Sequence, residues 1–289
     1  MSLKYELSKI LPDSIYLKIY YKKILGKKLN LKNPKTFNEK IQWLKIHDRN
    51  PAYITMVDKI MAKKYVASIL GEEYIVPTLG IWERFEDINF DELPNQFVLK
   101  CNHDSGGIVV VRDKYKLNIE AAKLKIEKSL RRNYFYSGRE WPYKYVKPKI
   151  FAEKYLGTDD NSLIDYKFFN FNGSSKFIYI SEGLENHNTA RISFFDFEGH
   201  QLSFKRLDYK PFEGDYKLPS NFEKMHYLSD KLADQIGSPF VRTDFYSINN
   251  SIYFSEITFS PCSGTLPFDP DKWDEILGKW IKLPKNLKY

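Results

Sequence analysis

Two groups of residues in this sequence combine side chains and spacing suited to phosphate chemistry. The first is a glycine-containing segment, Asn102 to Gly107, that follows Lys100. Apolar runs at 97–101 and 108–111 predict strands on both sides, so the backbone N–H groups of this hairpin loop and the Lys100 ammonium could surround a polyphosphate. A purely structural hairpin is the alternative. The patterns GxxxxGK[ST] and GxGxxG are absent, which argues against the P-loop and Rossmann modes of nucleotide binding.

The second group is rich in carboxylates. Arg242, Asp244 and Glu256 lie in two apolar runs joined by Asn249-Asn250, which is typical of a hairpin turn. Strand alternation places Arg242 and Asp244 on one face, and the short turn can bring Glu256 beside them. Two carboxylates next to phosphate oxygens suit Mg²⁺. A cross-strand Arg–Asp ion pair with a solvated glutamate is the structural alternative.

Hydrophobic periodicity predicts the elements that carry these residues. Helical spacing predicts two short amphipathic helices within residues 3–25, the second opened by Pro12, and further helices at 37–46, 55–70, 117–132 and 228–236. Strand patterns occur at 74–80 and 149–156 and in a predicted antiparallel meander of four runs at 165–172, 175–181, 190–196 and 200–204. The final hairpin is predicted at 241–248 and 251–257. Together these elements predict an α+β fold.

The composition is that of a folded protein. With 289 residues, 43% of them hydrophobic and 28% charged, the chain is long enough for about two domains and a sizeable core. An apolar run of about 20 residues and a signal peptide are not evident, which predicts a cytoplasmic protein. Cys101 and Cys262 are far apart and outside any CxxC motif, so we expect both to be buried and without a chemical role.

The positive charge is concentrated at the start of the chain. Residues 1–50 carry 12 basic and 4 acidic side chains, which accounts for the whole net charge of +8. We expect residues 1–25 to contact the inner face of an anionic membrane or an acidic polymer, unless their lysines are simply a solvated helix face. Nucleic-acid binding is not expected, because recognition motifs such as RNP or helix-turn-helix are not evident.

Read in chain order, the two groups resemble a known superfamily. Asp58-Lys59, Lys100, the segment 153–156 and Arg242-x-Asp244 followed by Glu256 resemble the ATP-grasp superfamily. Longer strings, among them NPKTFNEKIQWLK, LPNQFVLKCNHDSGG and RTDFY followed by IYFSEITFSP, are similar to the ATP-grasp family named after a teichuronopeptide biosynthesis protein. The resemblance covers about residues 33–275.

The resemblance implies two antiparallel-sheet lobes that hold ATP and Mg²⁺ between them. It suggests a basic helical region at 1–50, an α/β subdomain at 51–96, a lobe with a glycine-rich flap at 97–160, and a second lobe with the metal-binding hairpin at 161–289. Lys59 and Lys100 match the lysines that reach the phosphates. The implied flap residues are His103, Ser105, Gly106 and Gly107.

The remaining implied roles belong to the hinge and the second lobe. The hinge, whose main chain would bind adenine, is Glu153, Lys154, Tyr155 and Leu156. Asp165 matches the acid that holds ribose, Lys167 is an extra phosphate or substrate contact, and Arg242 is the cation that stabilises the transferred charge. The implied metal ligands are Asp244, Glu256 and Thr258. Thr258 stands where the superfamily usually has asparagine, and a hydroxyl is a weaker Mg²⁺ ligand than an amide carbonyl.

The implied activity is an ATP-dependent carboxylate–amine ligase that works through an acyl phosphate. From the family we expect a role in surface polysaccharide synthesis, joining an amine or amino acid to a sugar acid such as a uronic acid. A glycosyltransferase is the first alternative, although a Rossmann-like β/α pattern is not evident. A sugar or polysaccharide kinase that uses the same ATP site is the second. His187, in a polar loop, is a further candidate for the acceptor site.

Overall fold

The structure is a computed structural model that describes residues 9–157, 163–183 and 190–285. These parts contain helices and antiparallel strands in an α+β arrangement, as predicted. The helices are α1 Asp13–Leu25, α2 Phe37–His47, α3 Ala52–Val57, α4 Lys59–Leu70, α5 Ile119–Leu130, α6 Phe135–Gly138, α7 Phe222–Ile236 and α8 Lys272–Trp280. The strands are β1 Thr78–Trp82, β2 Phe97–Cys101, β3 Ile108–Val111, β4 Ile150–Lys154, β5 Asp165–Phe171, β6 Ser174–Glu182, β7 Arg191–Phe195, β8 Lys205–Arg206, β9 Phe240–Ile248, β10 Ser251–Thr258 and β11 Phe268–Asp269.

The first sheet has four strands in the order β1-β4-β2-β3. Its inner face is apolar because alternate residues of β2, namely Phe97, Leu99 and Cys101, point to the same side and are buried. Helix α5 covers this face with Ala122 and Ile126. The predicted hairpin of β2 and β3 is confirmed, and its loop is left at the end of the sheet.

The second sheet has five strands in the order β10-β9-β5-β6-β7. Its two tight turns were predicted correctly, since Asn172-Gly173 and Asn249-Asn250 take the left-handed backbone conformation that such turns require. Helices α4 and α7 cover one face of the sheet. Helices α2 and α8 cover part of the other face, where phenylalanines from four strands form an aromatic core.

The face of the second sheet that α2 and α8 partly cover is apolar at one end of its strands and charged further along. Strands β5 and β9 are antiparallel, with Phe171 opposite Phe240 at one end and Lys167 opposite Asp244 further along. Because residues two apart share a face, the aromatic core and the charged residues lie on the same side of the sheet. The core therefore ends where a row of charged side chains begins.

Several predicted elements differ in extent. The helix predicted at 55–70 is interrupted at Asp58, whose carboxylate caps α4 by accepting from the N–H groups of Ile60 and Met61. Helix α7 begins six residues before the predicted start, and the strand predicted to reach Leu156 ends at Lys154.

The prediction of a fourth strand in the meander, at residues 200–204, is wrong. Only Gln201 forms an isolated bridge there. The neighbouring strand β8 pairs instead with β11, whose residues follow about 60 positions later. The proposed domain boundaries stay a prediction.

Candidate functional site

A cleft of about 780 Å³ lies between the two sheets. Lys100, Ile108 and Val110 line it from the first sheet, α5 closes one side, and Asp165 and Tyr246 line it from the second sheet. The cleft is thus bounded by a glycine-rich loop, a strand end and a charged strand face, which are the parts that the sequence predicted for a nucleotide site.

Most of the predicted flap is anchored. The Asn102 amide donates to the Lys147 carbonyl oxygen and accepts from the Lys149 N–H at 2.7 Å, so the loop is tied to the start of β4. The Asp104 carboxylate accepts from the N–H of Gly107 and from the Ser129 hydroxyl. A Cβ at Gly107 would lie 2.4 Å from the Ser129 oxygen, so only glycine fits there. Ser105 and Gly106 are the exposed part that could close over a phosphate.

His103 points away from the cleft. Its ring is buried, and Nε2 lies 3.2 Å and 3.1 Å from the carbonyl oxygens of Ser129 and Arg132, so it donates a hydrogen bond there. Burial lowers the pKa of this imidazole, although Asp104 opposes the shift, so the ring is neutral at pH 7. The structure does not bring His103 to the other candidate residues, and a phosphate contact stays a prediction.

Glu153 joins two lysines under the loop. Its buried carboxylate accepts from Lys63 at 2.8 Å and from Lys100. Burial alone would raise the pKa of Glu153, but the two ammonium groups outweigh it and lower that pKa. Lys63 was missed by the sequence prediction. Its position four residues after Lys59, on the same face of α4, is the signal that could have found it.

We expect the stabilisation from Glu153 to depend on pH. Since its pKa is lower in the folded than in the unfolded state, the contribution is complete above the usual value of 4.5 and is lost as pH falls through the folded pKa. Glu153→Gln should cost about 3–5 kcal/mol in free energy of unfolding at pH 7, because two lysines lose their buried counter-charge. The difference in free energy of unfolding between the variant and the wild type should become smaller below pH 4.5. Urea unfolding from pH 7 downward measures it, with the exposed Glu120→Gln as control; a variant as stable as wild type at pH 7 contradicts the prediction.

The predicted hinge residues lie along the cleft beyond Glu153. Lys154, Tyr155 and Leu156 line the cleft, and the Lys154 N–H donates to the Pro77 carbonyl oxygen at 3.0 Å. The Tyr155 hydroxyl accepts from Arg112 at 3.0 Å, which orients its ring. The segment therefore lies along the cleft with the Lys154 N–H already paired, and a contact between its main chain and a base stays a prediction.

Four charged side chains form a continuous row on the second sheet. Lys167 Nζ lies 3.0 Å from a carboxylate oxygen of Asp165 and 3.0 Å from Asp244 Oδ2. Arg242 donates two hydrogen bonds to the Asp244 carboxylate, from Nε and from Nη2, both at 2.7 Å. The prediction that Arg242 and Asp244 share a face is confirmed.

The charge states of these four side chains follow from a balance between burial, which disfavours charge, and the opposite charges of their neighbours. Burial acts to lower the pKa of Lys167, but the carboxylates of Asp165 and Asp244 outweigh it and raise the pKa to about 12. Burial acts to raise the pKa of Asp244, and Arg242 and Lys167 reverse this and lower it. For Asp165 burial prevails and its pKa is raised. Lys167 and Arg242 are therefore two cations held in fixed positions next to Asp165, the member of the row that lines the cleft.

Glu256 completes the carboxylate pair that was predicted to hold Mg²⁺. It pairs with Asp244 across the β9–β10 hairpin, and its carboxylate lies 3.7 Å from Arg242 Nη2 and 3.8 Å from Lys59 Nζ. Its side chain is 30% exposed, whereas Asp244 has no exposed surface and both its oxygens accept hydrogen bonds. Carboxylate oxygens are the ligands that Mg²⁺ prefers, and Glu256 is the one of the two that is open to solvent. Asp244 would have to give up contacts with Arg242 or Lys167 to bind the ion, so the metal role of the pair stays a prediction. The Thr258 hydroxyl lies 3.1 Å from Arg242 Nη2 and accepts from it.

Beyond Arg242 the structure adds residues that the sequence prediction missed. Arg206 is nearly buried and donates to the Tyr179 hydroxyl at 3.1 Å, and Tyr179 lies opposite Lys167 in the sheet. Arg206 comes from β8, whose pairing with a distant strand leaves no local signal in the sequence. His187, the other acceptor candidate, lies outside the described residues.

A loop after β10 borders the same region. Cys262, Ser263 and Gly264 all have positive φ, at 49°, 53° and 70°, and the side chains of Gln42 and Lys45 donate to the Ser263 carbonyl oxygen. The expectation that both cysteines are buried is correct for Cys101 and wrong for Cys262, which this backbone conformation turns outward. Surrounding protein still raises the pKa of the Cys262 thiol.

Two antiparallel sheets enclosing a cleft, with lysines on one side and an arginine–carboxylate hairpin on the other, define an ATP-grasp protein. A family model described as TupA-like ATPgrasp matches residues 39–282. The chain therefore belongs to the TupA-like ATP-grasp family, which confirms the resemblance and the predicted fold. None of the curated proteins searched matches the chain.

Solved structures with similar folds are more distant. D-alanine–D-alanine ligase from Helicobacter pylori is 19% identical, with a TM-score of 0.49 over 87% of this chain and 70% of the ligase. The ATP complex of the Bacillus anthracis ligase is 19% identical, with a TM-score of 0.42 over 71% of this chain. The chain spans 54% of the length of that ligase. Biotin carboxylase from Campylobacter jejuni is 15% identical, with a TM-score of 0.44 over 81% of this chain and 48% of the carboxylase.

Proposed function

We propose that this protein is an ATP-dependent carboxylate–amine ligase. The observation that carries the proposal is the row of Asp165, Lys167, Asp244 and Arg242, which starts at the cleft with Asp165 and continues to Glu256. Lys100 and the glycine-rich loop border the same cleft. Such an arrangement provides fixed positive charge where a phosphoryl group is transferred and open carboxylate for its counter-ion.

In the proposed reaction a carboxylate oxygen of the substrate attacks the γ-phosphorus of ATP, and ADP leaves. Lys100 and Lys59 would bind the phosphates, and Arg242 and Lys167 would stabilise the charge that develops on the transferred group. Asp244 and Glu256 would hold Mg²⁺, which supplies neutralisation of phosphate charge when bound. An amine then attacks the acyl carbon, inorganic phosphate leaves, and an amide forms.

The substrate class in this proposal is a sugar acid, such as a uronic acid of a surface polysaccharide, joined to an amine or amino acid. The support is the family itself, because its namesake acts in teichuronopeptide biosynthesis. Arg206 and the loop at Cys262 border the site next to Arg242, where the second substrate would approach the acyl phosphate. We propose the same Mg²⁺-dependent chemistry for polymeric and monomeric acids.

Trapping of the acyl phosphate tests the reaction. The purified protein is incubated with ATP, Mg²⁺, hydroxylamine and a panel of uronic acids, and phosphate and hydroxamate are measured. A ligase should release phosphate only with a suitable acid and form its hydroxamate, because hydroxylamine attacks the acyl carbon and phosphate leaves. A stable phosphate ester in place of a hydroxamate would identify a kinase, and transfer of sugar from a nucleotide sugar without phosphate release would identify a glycosyltransferase; either result contradicts the proposal.

A further inference from the structure

Helix α1 has apolar side chains on its outward face. Ile15 and Ile19 are 46% and 58% exposed, and they are one helical turn apart, so they lie on the same side. Leu11, two residues before the start of the helix, is also exposed. Large apolar side chains grouped in this way on the outside of a folded protein indicate a contact surface.

Lysines flank this apolar stripe. Lys18 and Lys22 are exposed and lie on the outward face between and beside the isoleucines. The helix belongs to the segment 1–50 that carries the whole excess positive charge of the chain. Its outward face therefore combines apolar and basic groups.

The opposite face fixes α1 to the body of the protein. Leu17 and Tyr21 are buried in a small core with Leu29. The Tyr16 hydroxyl donates to the Ser137 carbonyl oxygen at 2.9 Å, and Asp13 at the first turn lies 3.1 Å from Arg139. The isoleucines are thus held outward by a docked helix.

We propose that the outward face of α1 binds the anionic phospholipid surface of a membrane. Isoleucine side chains can enter the boundary between head groups and acyl chains, while lysines pair with lipid phosphates. An acidic polysaccharide would engage the lysines but leave the isoleucines in water, so the composition favours lipid. None of the helices in the described residues is long and apolar enough to span a bilayer.

The same helix reaches the candidate site with its other side. Burial raises the pKa of the Tyr20 hydroxyl, and Thr265 and Ser263 in the loop that follows β10 oppose this shift, so Tyr20 is near that loop. Membrane contact through α1 would bring the loop after β10, which lies near Arg242, towards the lipid surface. If the proposed function is correct, an acceptor attached to a lipid head group becomes the favoured substrate; the membrane contact itself does not depend on that function.

Sedimentation with vesicles tests the contact, using the full chain without ATP. The wild type should pellet with vesicles of phosphatidylglycerol and phosphatidylcholine at low salt, should not pellet with phosphatidylcholine alone, and should be released at high salt. Ile15→Gln with Ile19→Gln, and Lys18→Gln with Lys22→Gln, should each lower the vesicle affinity at least about tenfold. Leu124→Gln, at an apolar side chain on α5 that is 72% exposed, and Lys128→Gln with Lys224→Gln should leave the affinity unchanged.

Three results would overturn the proposal. The first is failure of the wild type to bind anionic vesicles at low salt, and the second is equal binding to neutral vesicles. The third is binding of the wild type to an acidic polysaccharide together with unchanged polysaccharide affinity in the Ile15→Gln, Ile19→Gln variant. That result would make α1 a contact for glycans and not for lipids. Phosphate release is measured separately, so an inactive protein that binds vesicles refutes the ligase proposal alone.

Discussion

The Asp244→Asn variant is expected to lose ATP turnover by roughly 100- to 1,000-fold. Arg242 and Lys167 both contact this carboxylate, so its replacement removes the proposed Mg²⁺ ligand and releases the two cations from their fixed positions. An amide cannot restore either function, since it carries no charge and one of its two ends is a donor. Phosphate release at saturating ATP and Mg²⁺ measures the effect.

The fold of this variant must be checked, because Asp244 is buried. Circular dichroism and the urea midpoint separate loss of structure from loss of chemistry, and Lys167→Met with Asp244→Asn removes one of the two released charges if the single variant fails to fold. Glu223→Gln, at an exposed carboxylate on α7, is the matched control. Turnover within threefold of wild type in a folded Asp244→Asn protein would show that this carboxylate does not take part.

The Lys100→Met variant is expected to bind ATP about 30- to 150-fold more weakly, which corresponds to about 2–3 kcal/mol for a charge-assisted contact. Lys100 lines the cleft and is paired with Glu153 beneath it. Its removal deletes the proposed phosphate contact and also leaves the Glu153 charge opposed by Lys63 alone. Titration calorimetry on the folded protein gives the dissociation constant.

A double variant separates these two causes. In Lys100→Met with Glu153→Gln the carboxylate is neutral, so any part of the loss that comes from its repulsion of phosphate should be recovered. The exposed Lys128→Ala on α5 serves as the control for a change of one positive charge. Unchanged ATP affinity in Lys100→Met would exclude the phosphate contact.

Sequence patterns predicted the elements whose conformation depends on residues close together in the chain. The hairpin around Asn249-Asn250 could be predicted because both asparagines supply the left-handed conformation of the turn, and alternation then placed Arg242 and Asp244 on one face. The strand predicted at 200–204 is not formed, because the strand that does form next to it, β8, pairs with β11, far along the chain.

The same distinction applies to the candidate site. Lys100 and Asp244 stand in motifs that identify a family, so their positions followed from the resemblance. Arg206 stands in no such motif, and its guanidinium is placed by Tyr179 and Asp208 only after the chain has folded. The inward rotation of His103 likewise depends on carbonyl oxygens at the end of α5, which a reading of the loop alone does not include.

The pairing of charges along the cleft has a consequence for the rate at which a nucleotide arrives. Five basic side chains face four acidic ones within ion-pair distance, namely Lys59, Lys63, Lys100, Lys167 and Arg242 against Glu153, Asp165, Asp244 and Glu256. These ion pairs cancel most of one another's field beyond about 10 Å, so the electrostatic steering that remains comes mainly from Lys125 and Lys154, which also line the cleft. The association rate for a nucleotide should therefore fall as ionic strength rises, but less steeply than seven basic side chains acting together would make it fall.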